Sequence, residues 1–124
     1  MKLLDTTVAI DYLRGREEAV RLLTELVATD DVLTSELVRF ELLSGAREDE
    51  LDELEAFCSA LEWLPVTAEI SRTAGLLVRR YRASHSGIDD VDYLLAASAI
   101  VADAELVTTN VRHYPMLDGL APAY

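Results

Sequence analysis

Four side chains with oxygen donors stand where a chain of this pattern can bring them together: Asp5, Glu41, Asp92 and Asn110. Asp5 ends the short run of residues 2–4. Glu41 lies in an apolar helix-like stretch, among Leu37, Val38, Phe40, Leu42 and Leu43. Asp92 opens the apolar run 93–102, and Asn110 directly follows the strand-like run 106–109. A carboxylate in apolar surroundings is costly unless its charge is compensated. Three within a few ångströms repel by several kcal/mol at an effective dielectric of about 20, and without a counter-charge one of them protonates. A hard divalent cation such as Mg²⁺ or Mn²⁺ turns that repulsion into attraction, because it takes oxygen ligands and keeps several waters. It also acidifies a water and stabilises a leaving oxygen, which suits phosphodiester hydrolysis. The expectation is a metal-dependent hydrolase with Asp5, Glu41 and Asp92 on the ion. Each residue also has a plainer reading. Asp5 suits a helix cap at Thr6. Glu41 could pair with Arg39 or Arg47. Asp92 is an acid near a helix start beside Asp89 and Asp90, a pair that reads as a solvated cap. Asn110 has the residue type of a turn.

The elements that must position these residues follow from short apolar runs and helical periods. Residues 2–4 predict a buried strand and residues 6–13 a helix with Val8 and Leu13 inward, ended by Gly15. Residues 17–28 carry Val20, Leu23, Leu26 and Val27 at a helical period. Asp30 and Asp31 predict a turn, and residues 32–34 a second strand. Ser35 caps a helix that runs to about Leu43 and stops near Gly45. Residues 49–61 place Leu51, Leu54, Phe57, Cys58 and Leu61 on one stripe. Residues 63–66 predict a third strand, at an edge because of Pro65. Thr67 caps a long helix with Ile70, Ala74, Leu77 and Tyr81 inward. A loop at 84–87, a helix over 89–102 and a fourth strand over 106–109 follow, and the tail is irregular with room for a last short strand. Ala96, Ala97 and Ala99 form a small-residue face for close packing. Strands that alternate with helices, and are apolar throughout, predict an α/β fold: a three-layer sandwich, with a short parallel sheet covered by helices on both faces. Ligands collect at the carboxyl ends of such strands, where Asp5 and Asn110 stand.

The 124 residues predict a single domain over 1–124. No apolar run of about 18 residues exists, so nothing spans a membrane, and no signal-peptide pattern opens the chain. Cys58 is the sole cysteine and reads as a reduced core thiol. A cytoplasmic protein is expected. The net charge of −12 argues by itself against nucleic acid. It fits either a solubility surface or acids gathered at a cation site with a basic partner. His85 and His113 are too few and too scattered for a zinc site. No glycine-rich phosphate loop is present.

With these residues in order, the sequence resembles the PIN-domain ribonucleases, and among them the VapC-type toxins of toxin–antitoxin pairs. The resemblance rests on Leu3, Leu4, Asp5, Thr6 and Thr7; on Ser35 through Phe40, Glu41 and Leu42 with Gly45; on Asp92 through Ala97; and on Val107 through Asn110 followed by Tyr114. It spans nearly the whole chain. It implies Mg²⁺- or Mn²⁺-dependent cleavage of RNA, a homodimer, and inhibition by a cognate antitoxin protein. It makes Asp5, Glu41 and Asp92 the acidic site residues. Asn110 stands where many members carry a fourth acid, which leaves open whether a second ion is held. Thr6 or Thr109 would support the site through a hydroxyl. Arg79, Arg80 and Arg82, around Tyr81, and Arg112 become candidate RNA contacts, against the plainer reading of a solvated helix end. Two alternatives stay open: a catalytically weak interaction module of this fold that binds an antitoxin-like partner, and a nuclease of RNA processing or DNA with no toxin role.

Overall fold

The computed structural model describes residues 1–29 and 31–124; of the expected turn at Asp30 and Asp31, Asp30 lies outside the described residues. Among the described residues, four strands and six helices follow one another in the expected order. They are β1 (Lys2–Leu4), α1 (Thr6–Leu13), α2 (Glu17–Ala28), β2 (Val32–Ser35), α3 (Glu36–Gly45), α4 (Leu51–Ser59), β3 (Trp63–Leu64), α5 (Ala68–Tyr81), α6 (Asp90–Val101) and β4 (Glu105–Val107). Single 3₁₀ turns add Glu48–Glu50 before α4 and Val111–His113 after β4. The strands form one parallel sheet in the order β3-β2-β1-β4, with Leu3 opposite Leu33 on one side and Leu106 on the other. The short β3 is an edge strand, as Pro65 predicts.

Successive strand residues point to opposite faces. Leu3 and Leu4 are both fully buried, and so, nearly, are Leu106 and Val107, so both faces of the sheet are covered. Each such leucine withdrawn from water stabilises the fold by about 2 kcal/mol. The covering helices pack on one another as well, α1 with α2 and α5 with α6, while α3 touches both α1 and α6. Among them α6 is buried on most sides. Ala96 and Ala99 join the main core, and Ala97 meets Ile70 and Ala74 of α5. The small-residue face therefore admits close approach on two sides of the helix, to α5 as well as to the core. Cys58 is a buried free thiol, as expected.

Local signals place the helix ends. Ser35 Oγ accepts from the Leu37 amide at 3.1 Å and Thr67 Oγ1 from the Ile70 amide at 3.2 Å. Gly15 closes α1 in the left-handed region, with φ +78°. Four expectations fail. The third strand ends at Leu64 and does not take in Pro65 and Val66. Val20 and Val27 are exposed at 37 % and 47 %, because Ala19, Leu23 and Leu26 form the inward face of α2. The fourth strand ends at Val107, so Thr108, Thr109 and Asn110 belong to a turn. No last strand forms among the described residues of the tail. Its nearest equivalent is one backbone bond, from the Ala123 amide to the Thr108 carbonyl at 2.8 Å. No helix among the described residues is long and apolar enough to cross a membrane.

Candidate active site

Asp5 directly follows β1 and is the cap of α1. Its amide donates to the Val107 carbonyl at 2.9 Å, and its own carbonyl accepts the first helical bond from Ala9 at 3.2 Å. That double duty fixes the backbone at the carboxyl edge of the central strands and turns the side chain inward, 4 % exposed. Asp5 Oδ1 accepts from the Thr6 amide at 2.8 Å, so the cap reading and the site reading describe the same residue. Asp5 Oδ2 accepts from the Thr108 hydroxyl at 2.5 Å and the Thr7 hydroxyl at 3.1 Å. Those hydroxyls are themselves oriented by the turn after β4. The Asn110 amide donates to Thr108 Oγ1 at 3.0 Å and the Thr109 amide to Thr7 Oγ1 at 3.3 Å. Burial holds the Asp5 carboxyl above the ordinary carboxylate range, and these donors pull it back only in part.

Glu41, six residues into α3, meets α1: the Thr6 hydroxyl donates to Glu41 Oε1 at 2.6 Å. Neither candidate arginine pairs with it. Arg39 bonds Glu36 and lies over the Trp63 ring, and Arg47 pairs with Asp49 and Glu50. Burial raises the Glu41 carboxyl, and the charges of Asp5, Asp92 and Asp89 raise it further. Asp92, in the first turn of α6, completes the group. Here the free amides of the helix end favour a negative charge. Asp92 Oδ1 accepts from the Tyr114 hydroxyl at 3.2 Å, which lies 3.2 Å from Asp5 Oδ1 as well. Asp92 Oδ2 is 2.9 Å from His113 Nδ1. Burial, with the charges of Asp5 and Asp92, drives the Tyr114 hydroxyl far above its ordinary range, so it remains a donor.

Asp5, Glu41 and Asp92 thus face one region from parts of the chain far apart in sequence, linked through Thr6 and Tyr114 rather than touching one another. Asn110 borders them through its backbone amide; its carboxamide bonds none of the three among the described residues. Of the two candidate supporting hydroxyls, Thr6 reaches an acid and Thr109 contributes only its amide. The sequence reading missed Thr7, Thr108, His113 and Tyr114. The 3₁₀ turn Val111–His113 swings the last two back onto Asp92, and the sequence signal for it was the run from Asn110 to Tyr114. Asp89 is exposed and holds the N-cap position of α6 without a side-chain capping bond among the described residues, and its charge raises the Glu41 carboxyl. The candidate RNA contacts divide. Arg82 is tied to Asp90 and lies over the Tyr93 ring, and Arg80 lies over Tyr81, whereas Arg79 and Arg112 are exposed. A groove of about 140 Å³ opens beside Glu41, lined by Ile10, Leu13, Leu42 and Leu54 with Arg14 and Glu53 at its rim.

The donor set fits a hard divalent cation. All three acids offer carboxylate oxygens, and among the described residues the one cationic group within 4.0 Å of them is His113, if protonated. The acids stand apart as placed. No group of three or more Asp, Glu, His or Cys side chains among the described residues is close enough to hold an ion.

The PIN domain family model matches residues 2–116, and the chain belongs to the PIN-domain family. It is 61 % identical over 125 residues to "Ribonuclease VapC19" of Mycobacterium tuberculosis, covering 100 % of both chains. In three dimensions it is similar to the "Toxin-antitoxin complex from Klebsiella pneumoniae", with TM-score 0.78 and 21 % identity over 100 % of this chain and 98 % of that one. It is also similar to the DNA-bound VapBC from Salmonella typhimurium, with TM-score 0.83 and 20 % identity over 98 % and 95 %. At such identities the structural likenesses establish the fold.

Proposed function

We propose that the chain is a Mg²⁺- or Mn²⁺-dependent endoribonuclease, the toxin of a toxin–antitoxin pair, with Asp5, Glu41 and Asp92 as its metal-binding acids. One observation supports this reading: the Glu41 carboxyl in α3 feels the charges of Asp5, just after β1, and Asp92 in α6, with no lysine or arginine paired to any of the three among the described residues. The full-length likeness to a protein named as a ribonuclease supports the substrate class. A divalent cation bound there would supply an acidified water and stabilise the charge that builds on the phosphodiester oxygens.

The chain's own residues do the rest. Thr7 and Thr108 fix the Asp5 carboxylate, Thr6 orients Glu41, and His113 with Tyr114 orients Asp92. Arg79 and Arg112, exposed at the surface, contact the RNA backbone, which a protein of charge −12 would otherwise repel. Asn110 tunes the ion from the border of the site. The antitoxin partner presents an arginine or lysine to the acids, with an apolar segment along the groove beside Glu41. The chain acts in the cytoplasm as a homodimer.

The deciding experiment is RNA cleavage by the purified chain. Activity should vanish in excess chelator, return with Mg²⁺ or Mn²⁺, and be lost in Asp5→Asn. Cleavage that survives chelation removes the metal, and cleavage that survives Asp5→Asn removes the site.

A further inference from the structure

Two acids share a single hydroxyl. Tyr114 is 2 % exposed, and its oxygen lies 3.2 Å from Asp5 Oδ1 and 3.2 Å from Asp92 Oδ1. An O–H carries one proton, so it donates fully to one carboxylate at a time. The two acids differ in what else they accept. Asp5 has the Thr6 amide on Oδ1, the Thr108 and Thr7 hydroxyls on Oδ2, and Tyr114 as a fourth donor. A carboxylate offers about four lone-pair sites, so Asp5 is full. Asp92 has two donors, Tyr114 and His113, and room for more.

A cation that takes Asp5 as a ligand must therefore displace a donor from it. The Thr6 amide is fixed in the first turn of α1. The Thr108 hydroxyl is the nearest of the four, and both threonine hydroxyls are oriented by amides of the turn after β4. Tyr114 alone has a second acceptor at equal distance, so it can leave Asp5 without becoming an unpaired buried hydroxyl. We infer that Tyr114 is a positioning residue that occupies Asp5 in the metal-free site and releases it to the cation by turning its O–H to Asp92. This rests on the metal reading of the three acids. It adds that the site is held closed by a neutral donor until the ion arrives, and that Asp92 then has two full donors fixing its orientation.

The test is Mn²⁺ titration by calorimetry, with thermal melting in chelator alongside. Tyr114→Phe keeps the ring and removes the competitor. Mn²⁺ should bind roughly three- to tenfold more tightly, while the metal-free protein melts at a lower temperature. These opposite signs are the signature, since a purely structural role would weaken both. If wild type binds Mn²⁺ and Tyr114→Phe binds it equally or less tightly, the role of the hydroxyl is overturned and the metal reading stands. If wild type shows no saturable Mn²⁺ binding, both fall. Should Tyr114→Phe not fold, Thr7→Val takes another donor off Asp5 and should also tighten Mn²⁺ binding. Binding at or below the wild-type level in Thr7→Val overturns the saturation of Asp5 and the proposal with it.

Discussion

Thr108→Val isolates the hydroxyl that gives Asp5 its shortest hydrogen bond. Thr108 is fully buried, with Oγ1 2.5 Å from Asp5 Oδ2. Valine fills nearly the same volume but donates nothing, so the buried carboxylate loses a donor. The Asn110 amide also loses its acceptor, but Asn110 is partly exposed and water can replace it. A hydrogen bond to a charged group contributes about 1.5–3 kcal/mol. In a domain of this size that lowers the melting temperature by on the order of 10 °C. Thr108→Ser keeps the donor and removes one buried methyl, which costs about 1 kcal/mol. The pH dependence has a definite sign. Burial raises the folded-state pKa of Asp5 above its unfolded value, and the Thr108 hydroxyl lowers it, so its loss raises it further. A raised carboxyl destabilises the fold where it is ionised, and that penalty disappears as pH falls through the folded pKa. The Thr108→Val deficit is therefore full at neutral pH and shrinks on acidification. Melting of wild type and both variants in chelator, across pH, is the assay. A Thr108→Val deficit no larger than that of Thr108→Ser, or one that stays constant from about pH 8 to about pH 4, would refute the reasoning.

Two further outcomes are expected. Glu41→Gln still accepts from Thr6 but removes one of several like charges. It should raise the melting temperature in chelator by a few degrees at neutral pH, with the gain fading as pH falls through the raised Glu41 pKa; scanning calorimetry checks this, and a loss at neutral pH contradicts it. Asn110→Asp should tighten Mn²⁺ binding by adding a charge at the border of the site, and Asn110→Ala should reduce cleavage less than Asp5→Asn does. Unchanged Mn²⁺ affinity in Asn110→Asp shows that this side chain faces away from the acids.

Much of the fold was legible because its signals are local. Alternating short apolar runs and helical periods reported a covered parallel sheet, and Ser35, Thr67 and Gly15 marked helix ends by capping chemistry that acts within four residues. The errors fall where the signal is not local. Val20 and Val27 fit the period of α2 as well as Leu23 does. Packing instead turns Ala19, Leu23 and Leu26 inward and leaves the two valines exposed. Residues 108 and 109 have strand-like types, but the turn needs them to support Asp5, so the ladder stops at Val107.

The same division runs through the candidate site. The sequence by itself determined which acids are available and which edge of the sheet they border, because strand ends and helix starts are set by neighbouring residues: Asp5 after β1, Glu41 within α3, Asp92 in the first turn of α6. Only the tertiary structure decided what surrounds them. Thr108 lies 103 residues from Asp5 and Tyr114 lies 109 away, separations across which no sequence period carries information. Hydrogen bonds require contact within about 3 Å. That contact exists because β4 is paired beside β1 and a 3₁₀ turn then doubles the chain back over α6, and both follow from packing of the whole domain.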